Sequence, residues 1–413
     1  MNPNVTYFPK ESVSESAGRF PTPFFLYKEK RIREKCRRLK NAFSKYFENF
    51  WPLYAVKANP NPDILRIILD EGFGLDVSSE SEVWIANKLE EKGMFTGNYN
   101  PSQELKAAKG AGLILNIDDI SQIPFLKEIG VPEMLSFRIN PGIGQAGIES
   151  NILAGPDAKY GVPFEKAADA YKQAKELGIK RFGIHMMKGS NVLDEDYFSA
   201  VVEKLFEVVA NVKSKTGIEI EMMNIGGGFG VPYKPDEKCL DIEIVARSVR
   251  EVFDKQIDKY NLKKPRLLVE PGRYITADAG WLIARVFVIK NSYKKFVGVD
   301  AGMNDLPRPA IYGAYHHVSI LDKEDTQEKE IVNIVGRLCE NNDQFAKDRE
   351  LPKIEVGDIV IIHNAGGHAY SMGHNYNGRP RSAEYLITTD GNIKQIRRAE
   401  TIEDLFRATN LEI

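Results

Sequence analysis

FWPLYAVKANPNPDILRIILDEGFGLDVSS, residues 50–79, reads as strand, helix, strand. Its first apolar run, up to Val56, is short and rich in the aromatic and branched residues that suit a buried strand. Asn-Pro-Asn-Pro then breaks it, and Ile64, Ile67 and Ile68 follow at helical spacing before a second apolar run, Gly74–Val77. A helical crossover between two strands makes them parallel.

The pattern continues to residue 272. Eight short apolar runs end in small or polar residues: FWPLYAVKAN, GLDVSS, MFTGN, LILNID, LSFRINPG, RFGIHMMKGS, MNIGGGFG and LLVEPGR. Amphipathic stretches such as SESEVWIANKLEEKG, PFEKAADAYKQAKELG and YFSAVVEKLFEVVANVKSKTG lie between them. Eight such units are what a TIM-type (β/α)8 barrel needs, with an open doubly wound sheet as the alternative. The unusual residues favour the barrel. Lys57, Ser78, Asn98, Arg138, His185, Gly226 to Gly228 and Glu270 fall at the C-terminal ends of their runs, and in a barrel those ends converge on one mouth.

After about residue 285 the segments alternate as strands do, in ARVFVIKN, KKFVGVDA, KEIVNIVGRL and DIVIIHNAGG. Three regions are expected. Residues 1–35 form an N-terminal segment whose strand-like TPFFLYKEK joins the later domain, 36–284 form the barrel, and 285–413 form a C-terminal β-rich domain of sandwich or barrel type.

A chain of 413 residues that is 43% hydrophobic can bury two cores. With 56 Lys+Arg against 58 Asp+Glu, and no basic or acidic block, nucleic acid and membrane surfaces are poor partners. The first twenty residues lack the apolar core of a secretory signal, and no apolar run approaches the ~20 residues of a membrane span. The expectation is a cytoplasmic protein. Cys36, Cys239 and Cys339 are too far apart to suggest a disulfide framework or a CxxC metal site.

Three strand ends carry chemistry. The stem of Lys57 lies in an apolar run and its amine faces the mouth, where desolvation would lower its pKa and suit it to Schiff-base chemistry. Taken singly it reads better as a snorkelling surface lysine, and the other strand ends change that weighting. Gly226, Gly227 and Gly228 let the backbone approach an anion such as phosphate, although a tight strand-to-helix turn would also use them. Glu270 in EPGR is either half of a buried salt bridge or the carboxylate that keeps a pyridine nitrogen protonated. Together the three describe a site for pyridoxal 5′-phosphate.

At this point the chain resembles a known family, the PLP-dependent decarboxylases of the alanine-racemase-like fold (fold type III), and within it the diaminopimelate decarboxylases. The resemblance runs through YAVKAN, GLDVSS, FRINPG, KYGV, GGGFG, EPGR, DAGMNDLPRPAIYGAYHHV, CENNDQFAKDRELP and NYNGRPRSAEYL. It implies that Lys57 carries the cofactor and that Ser190, Gly226 to Gly228, Gly272, Arg273 and Tyr376 hold its phosphate, with Glu270 at the ring nitrogen. It implies that Cys339 reprotonates Cα and that Glu340 meets the distal amino group, both reaching the site from the second subunit of a homodimer. Arg308 and Tyr312 would take a distal carboxylate, with Arg273 and Tyr376 close by.

Three positions depart from the family pattern. Met187 stands where a histidine usually stacks on the cofactor ring; a thioether can lie against a ring but carries no charge. His185 is two residues earlier, on the same face and one step deeper. Asn341 replaces a usual serine in CENND, and His368 a usual tyrosine. The spacings of His316, His317, His363, His368 and His374 fit no metal site.

The expected activity is decarboxylation of meso-diaminopimelate at its D-centre to L-lysine. The alternative is a decarboxylase of D-lysine, D-ornithine or a related amino acid. A racemase of the same fold generally has arginine at the ring nitrogen, which Glu270 argues against. A non-catalytic regulator usually lacks the lysine or the cysteine, and both are present.

Overall fold

A computed structural model of the protein describes residues 2–142 and 153–410. The chain forms two units, one of residues 34–231 and 239–272, the other of 1–33, 232–238 and 273–413.

The first unit is a closed parallel barrel. Its strands are Trp51–Ala55, Gly74–Val77, Gly93–Phe95, Ile114–Ile117, Met134–Asn140, Arg181–His185, Ile220–Asn224 and Arg266–Val269. Each pairs in parallel with the next, and the eighth pairs with the first. All eight runs expected from the sequence are strands. Between the first two, Pro62–Asp70 is the expected helix. It opens with Pro62 at a position whose N–H needs no partner, and the Asn61 side chain caps the N–H of Asp63. Ile64, Leu65, Ile67 and Ile68 are its buried face, each contributing about 1.5–3 kcal/mol by leaving water.

Residues two apart on a strand share a face, and one parity fills the barrel. Leu53, Met94, Met222 and Leu268 pack together as an apolar cluster. One step along, at the same parity and nearer the C-terminal strand ends, stand Thr96, His185, Asn224 and Glu270, all buried. Asp76, on the second strand, is buried with no exposed surface. Asn224 Nδ2 joins the two layers by meeting Met94 Sδ at 3.3 Å.

The second unit is mostly sheet and is organised around one strand, Gly280–Asn291. Its first residues pair with Phe24–Lys28 on one side and with Ile359–Ile362 on the other, while its later residues pair with Lys295–Val299. Phe24–Lys28 also pairs in parallel with Ala383–Ile387, so this strand is part of the late sheet. Gly280–Asn291 runs without a break across residue 284, and residues 273–284 cluster with the sheet. Phe24, Leu26, Trp281, Ile283, Ile361 and Tyr385 are among its core residues. No helix among the described residues is long and apolar enough to cross a membrane.

Candidate active site

Lys57 lies in a single helical turn, Val56–Ala58, directly after the first barrel strand. Its Nζ is 2.8 Å from Asp76 Oδ2 on the second strand, and Thr96 on the third gives its hydroxyl to Asp76 Oδ1. The expected lowering of the Lys57 pKa is corrected here. Burial does oppose its charge, but the carboxylates of Asp76 and Glu270 outweigh burial and raise the pKa above the ordinary lysine range. Burial and the nearby Glu270 charge push Asp76 the other way from most carboxylates, up to about 6, against the pull of Lys57.

Glu270 follows the eighth strand and is 6% exposed. Asn224 Nδ2 donates to its Oε1 at 2.6 Å, and His185 Nε2 lies 3.1 Å from its Oε2. An ionised carboxylate only accepts, so Nε2 carries the hydrogen. Burial opposes the charge of Glu270, yet His185, Lys57 and Asn224 together hold its pKa down at about 2. His185 Nδ1 is buried without a partner among the described residues. Sequence alternation placed His185 deeper than Met187; what it finds there is the carboxylate.

The glycine run is tight for reasons of its own. Gly226 and Gly228 have φ of 71° and 90°. A Cβ on Gly226 would stand 2.6 Å from Met186 O, and one on Gly227 2.5 Å from Glu270 O. Any side chain there would therefore push the sixth and eighth strand ends away. Two of the three N–H groups are taken, Gly226 by Asn224 Oδ1 at 2.9 Å and Gly227 by Met187 Sδ at 3.2 Å. The Gly228 N–H and the Ser190 hydroxyl have no partner among the described residues. Donors left over beside a barrel mouth suit an anion. Gly272 is equally confined, with its absent Cβ 2.9 Å from the Ala58 methyl.

In the sheet unit, Arg273 and Arg308 are 8% and 2% exposed, and among the described residues no carboxylate pairs with either. Arg273 Nη1 donates to the Tyr233 hydroxyl at 2.6 Å, and its Nε is buried without a partner. Arg308 opens the short helix Arg308–Tyr312, with its guanidinium 4.4 Å from the centroid of the Tyr233 ring. Burial lowers its pKa to about 10, offset in part by Tyr233 and reinforced by Arg273. Tyr312 is half-buried. Two buried guanidiniums without an anion are costly unless a ligand brings one.

Cys339, Glu340 and Tyr376 are exposed. Cys339 N–H donates to Asn377 Oδ1 at 2.6 Å, and Tyr376 N–H donates to His374 Nδ1 at 3.2 Å. Other strand-end residues serve the fold. Ser78 gives both its N–H and its hydroxyl to Glu82, and Asn98 accepts from Arg138 at 3.1 Å. A cavity of about 640 Å³ lined by Asn100, Asp118, Gln122, Asn140 and Lys159 includes none of Lys57, Asp76 or Glu270.

Sequence reasoning passed over Asp76, Thr96, Asn224 and Tyr233, and weighed His316 only as a metal ligand. Asp76 did leave a signal, a carboxylate in the middle of a buried strand. Thr96 and Asn224 become visible only once strand register says what they face, and Tyr233 and His316, which lie outside strands, only once the fold brings them to Arg308.

Residues 29–277 match the family model described as pyridoxal-dependent decarboxylase, pyridoxal binding domain. The chain is 41% identical over 402 residues to the diaminopimelate decarboxylase of Methanothermobacter thermautotrophicus, covering 96% of this chain and 94% of that protein. It is 38% identical over 395 residues to protein TabA of Pseudomonas amygdali pv. tabaci, covering 95% and 92%. Among solved structures, diaminopimelate decarboxylase from M. jannaschii in complex with L-lysine superposes with a TM-score of 0.88 at 34% identity, over 97% of this chain and 94% of that one. A family match over more than half of the chain, together with full-length relatives, places the protein: it belongs to the pyridoxal-dependent decarboxylases.

Proposed function

We propose that the protein releases carbon dioxide from an amino acid with the help of pyridoxal 5′-phosphate, and that its substrate is meso-diaminopimelate, decarboxylated at the D-centre to L-lysine. Arg308 is the observation that carries the substrate. A planar, permanently charged guanidinium, buried without a carboxylate, suits a ligand with a second acid group.

The chain's own residues divide the work. Lys57 would hold the cofactor covalently, and its high pKa keeps the free amine protonated until a neighbour takes the proton. Asp76, held at 2.8 Å, is the nearest acceptor. Ser190, the Gly226 to Gly228 backbone, Gly272, Arg273 and Tyr376 would hold the phosphate, and Met187 would lie against the ring. Pyridoxal phosphate, when bound, supplies a conjugated ring that accepts the electrons of the breaking Cα–carboxylate bond. Glu270, kept ionised by His185 and Asn224, would sustain the positive charge on the ring nitrogen that this requires. Arg308 and Tyr312 would anchor the far carboxylate and so fix which bond is broken.

We further propose a homodimer in which the partner subunit's Cys339 returns the proton to Cα and the partner subunit's Glu340 meets the distal ammonium. Lys57→Ala and Cys339→Ala chains are each expected to be nearly inactive alone. Co-expressed, they should recover about a quarter of wild-type turnover, because half of the dimers then hold one intact site of two. No recovery would place both residues in the site of one chain, or neither in any.

The reading is tested by carbon dioxide release from meso-diaminopimelate, D-lysine, D-ornithine and the L-forms. Preference for meso-diaminopimelate is expected. Turnover of a D-amino acid lacking the far acid, with meso-diaminopimelate idle, would overturn it. That outcome would assign Met187, Asn341 and His368 to a different substrate on the same scaffold.

A further inference from the structure

We propose that His316 is a positioning residue that sets the specificity of Arg308 for an acidic group, by gripping the guanidinium with an uncharged nitrogen. The inference rests on the proposed role of Arg308 and goes one residue behind it.

Arg308 Nη1 lies 2.8 Å from His316 Nε2. A guanidinium only donates, so Nε2 must present its lone pair. On the other side of the ring, His316 Nδ1 is 2.7 Å from the backbone oxygen of His363. A carbonyl only accepts, so Nδ1 must carry the hydrogen. The two neighbours therefore fix both the tautomer and the neutral state of the ring, since a proton on Nε2 would face another donor. Burial, the Arg308 charge and the more distant Arg273 all press His316 toward neutrality.

The charged and titratable groups around this contact are Tyr233, Arg273, Tyr312, His363 and Arg349, whose Nη1 donates to the His316 backbone oxygen at 3.2 Å. The Tyr233 ring meets His316 edge-on at 5.0 Å and lies under Arg308, while its hydroxyl binds Arg273. Tyr312 stands on the same short helix as Arg308, and His363 gives its carbonyl. Among the described residues none of these contacts brings a carboxylate to the guanidinium. An Asp or Glu in place of His316 would hold Arg308 equally well and would cancel its charge. A neutral acceptor holds one Nη and leaves the charge to a ligand.

The anchor is rigid. His363 directly follows the strand Ile359–Ile362, which pairs with Val318–Ile320, and its own N–H donates to His317 O at 2.9 Å. Position thus passes from a strand ladder through the His363 carbonyl and the His316 ring to the Arg308 fork.

The test compares the loaded enzyme carrying His316→Gln, His316→Asp, His316→Phe or Arg308→Gln, measuring KM for meso-diaminopimelate and KM, or Ki where it is not turned over, for D-lysine. Arg308→Gln is expected to raise KM for meso-diaminopimelate by about tenfold or more with D-lysine affected by about twofold at most. His316→Asp and His316→Phe should reproduce that split, and His316→Gln, which restores a neutral acceptor, should bring KM back to within a few-fold of wild type. Equal losses for both ligands would make His316 merely structural and overturn the inference. If Arg308→Gln shows the split and His316→Asp does not, the inference fails while the role of Arg308 stands. If Arg308→Gln shows no split, the role of Arg308 itself is wrong.

Discussion

Lys57→Ala is expected to lower carbon dioxide release by about three orders of magnitude or more, because it removes the amine proposed to hold the cofactor covalently. The absorption band of covalently bound pyridoxal phosphate should vanish with it. The variant is expected to fold, since Asp76 keeps the Thr96 hydroxyl when the amine goes and its raised pKa lets it take a proton. A short primary amine added to the solution should restore part of the activity. Retention of both the band and turnover would show that another lysine does the chemistry. The pH dependence has a definite sign. Because Asp76 and Glu270 raise the Lys57 pKa above its ordinary value, the neutral amine is scarce at pH 7, and covalent capture of added cofactor should speed up as pH rises toward 10. Asp76→Asn should shift that rise to lower pH; an unshifted profile would remove Asp76 from the account.

The second large effect is expected for Glu270→Gln, with kcat lower by about 10²–10³, the usual scale for losing a fixed electrostatic partner of the developing charge. An amide cannot do what the carboxylate does here. Glu270 accepts on both oxygens, from Asn224 at 2.6 Å and from His185 at 3.1 Å. A glutamine offers one acceptor and turns its NH₂ toward one of those donors; facing Asn224 that is a buried clash of about 1–3 kcal/mol, and facing His185 it is relieved only by moving the imidazole hydrogen to Nδ1, which has no partner among the described residues. Two readouts separate the causes. A lower melting temperature would report the clash, and the pyridine ¹⁵N shift of labelled cofactor would report loss of the ring proton. A wild-type kcat with an unmoved ¹⁵N shift would remove Glu270 from the mechanism.

Much of this was legible in the sequence because apolar periodicity and punctuation are local. The eight barrel runs, the intervening helices and the placing of Lys57, His185 and Glu270 at strand ends all follow from residues within a few positions of one another. What was not legible depends on register. Asp76 meets Lys57 only because the first two strands pair Ala55 with Asp76, and His185 meets Glu270 across the barrel's interior. The direction of the Lys57 pKa shift failed for the same cause: burial can be guessed from an apolar run, but a carboxylate arriving from the next strand cannot. Arg308 was readable as a motif residue, whereas its grip by His316 depends on a carbonyl 47 residues further on.

The strand Phe24–Lys28 has a consequence for how the chain is made. Its two partners, Gly280–Ile283 and Ala383–Ile387, are translated long after it. The eight barrel strands are complete once Val269 has been synthesised, so that unit can close while the ribosome is still working. The segment FFLYK, four of its five residues fully buried in the finished protein, is made before either partner, so one edge stays unpaired until Gly280–Ile283 follows and the other until Ala383–Ile387 follows. An apolar strand with open edges is the part of a nascent chain most prone to pair wrongly. The yield of folded protein therefore depends on how long translation keeps that strand waiting.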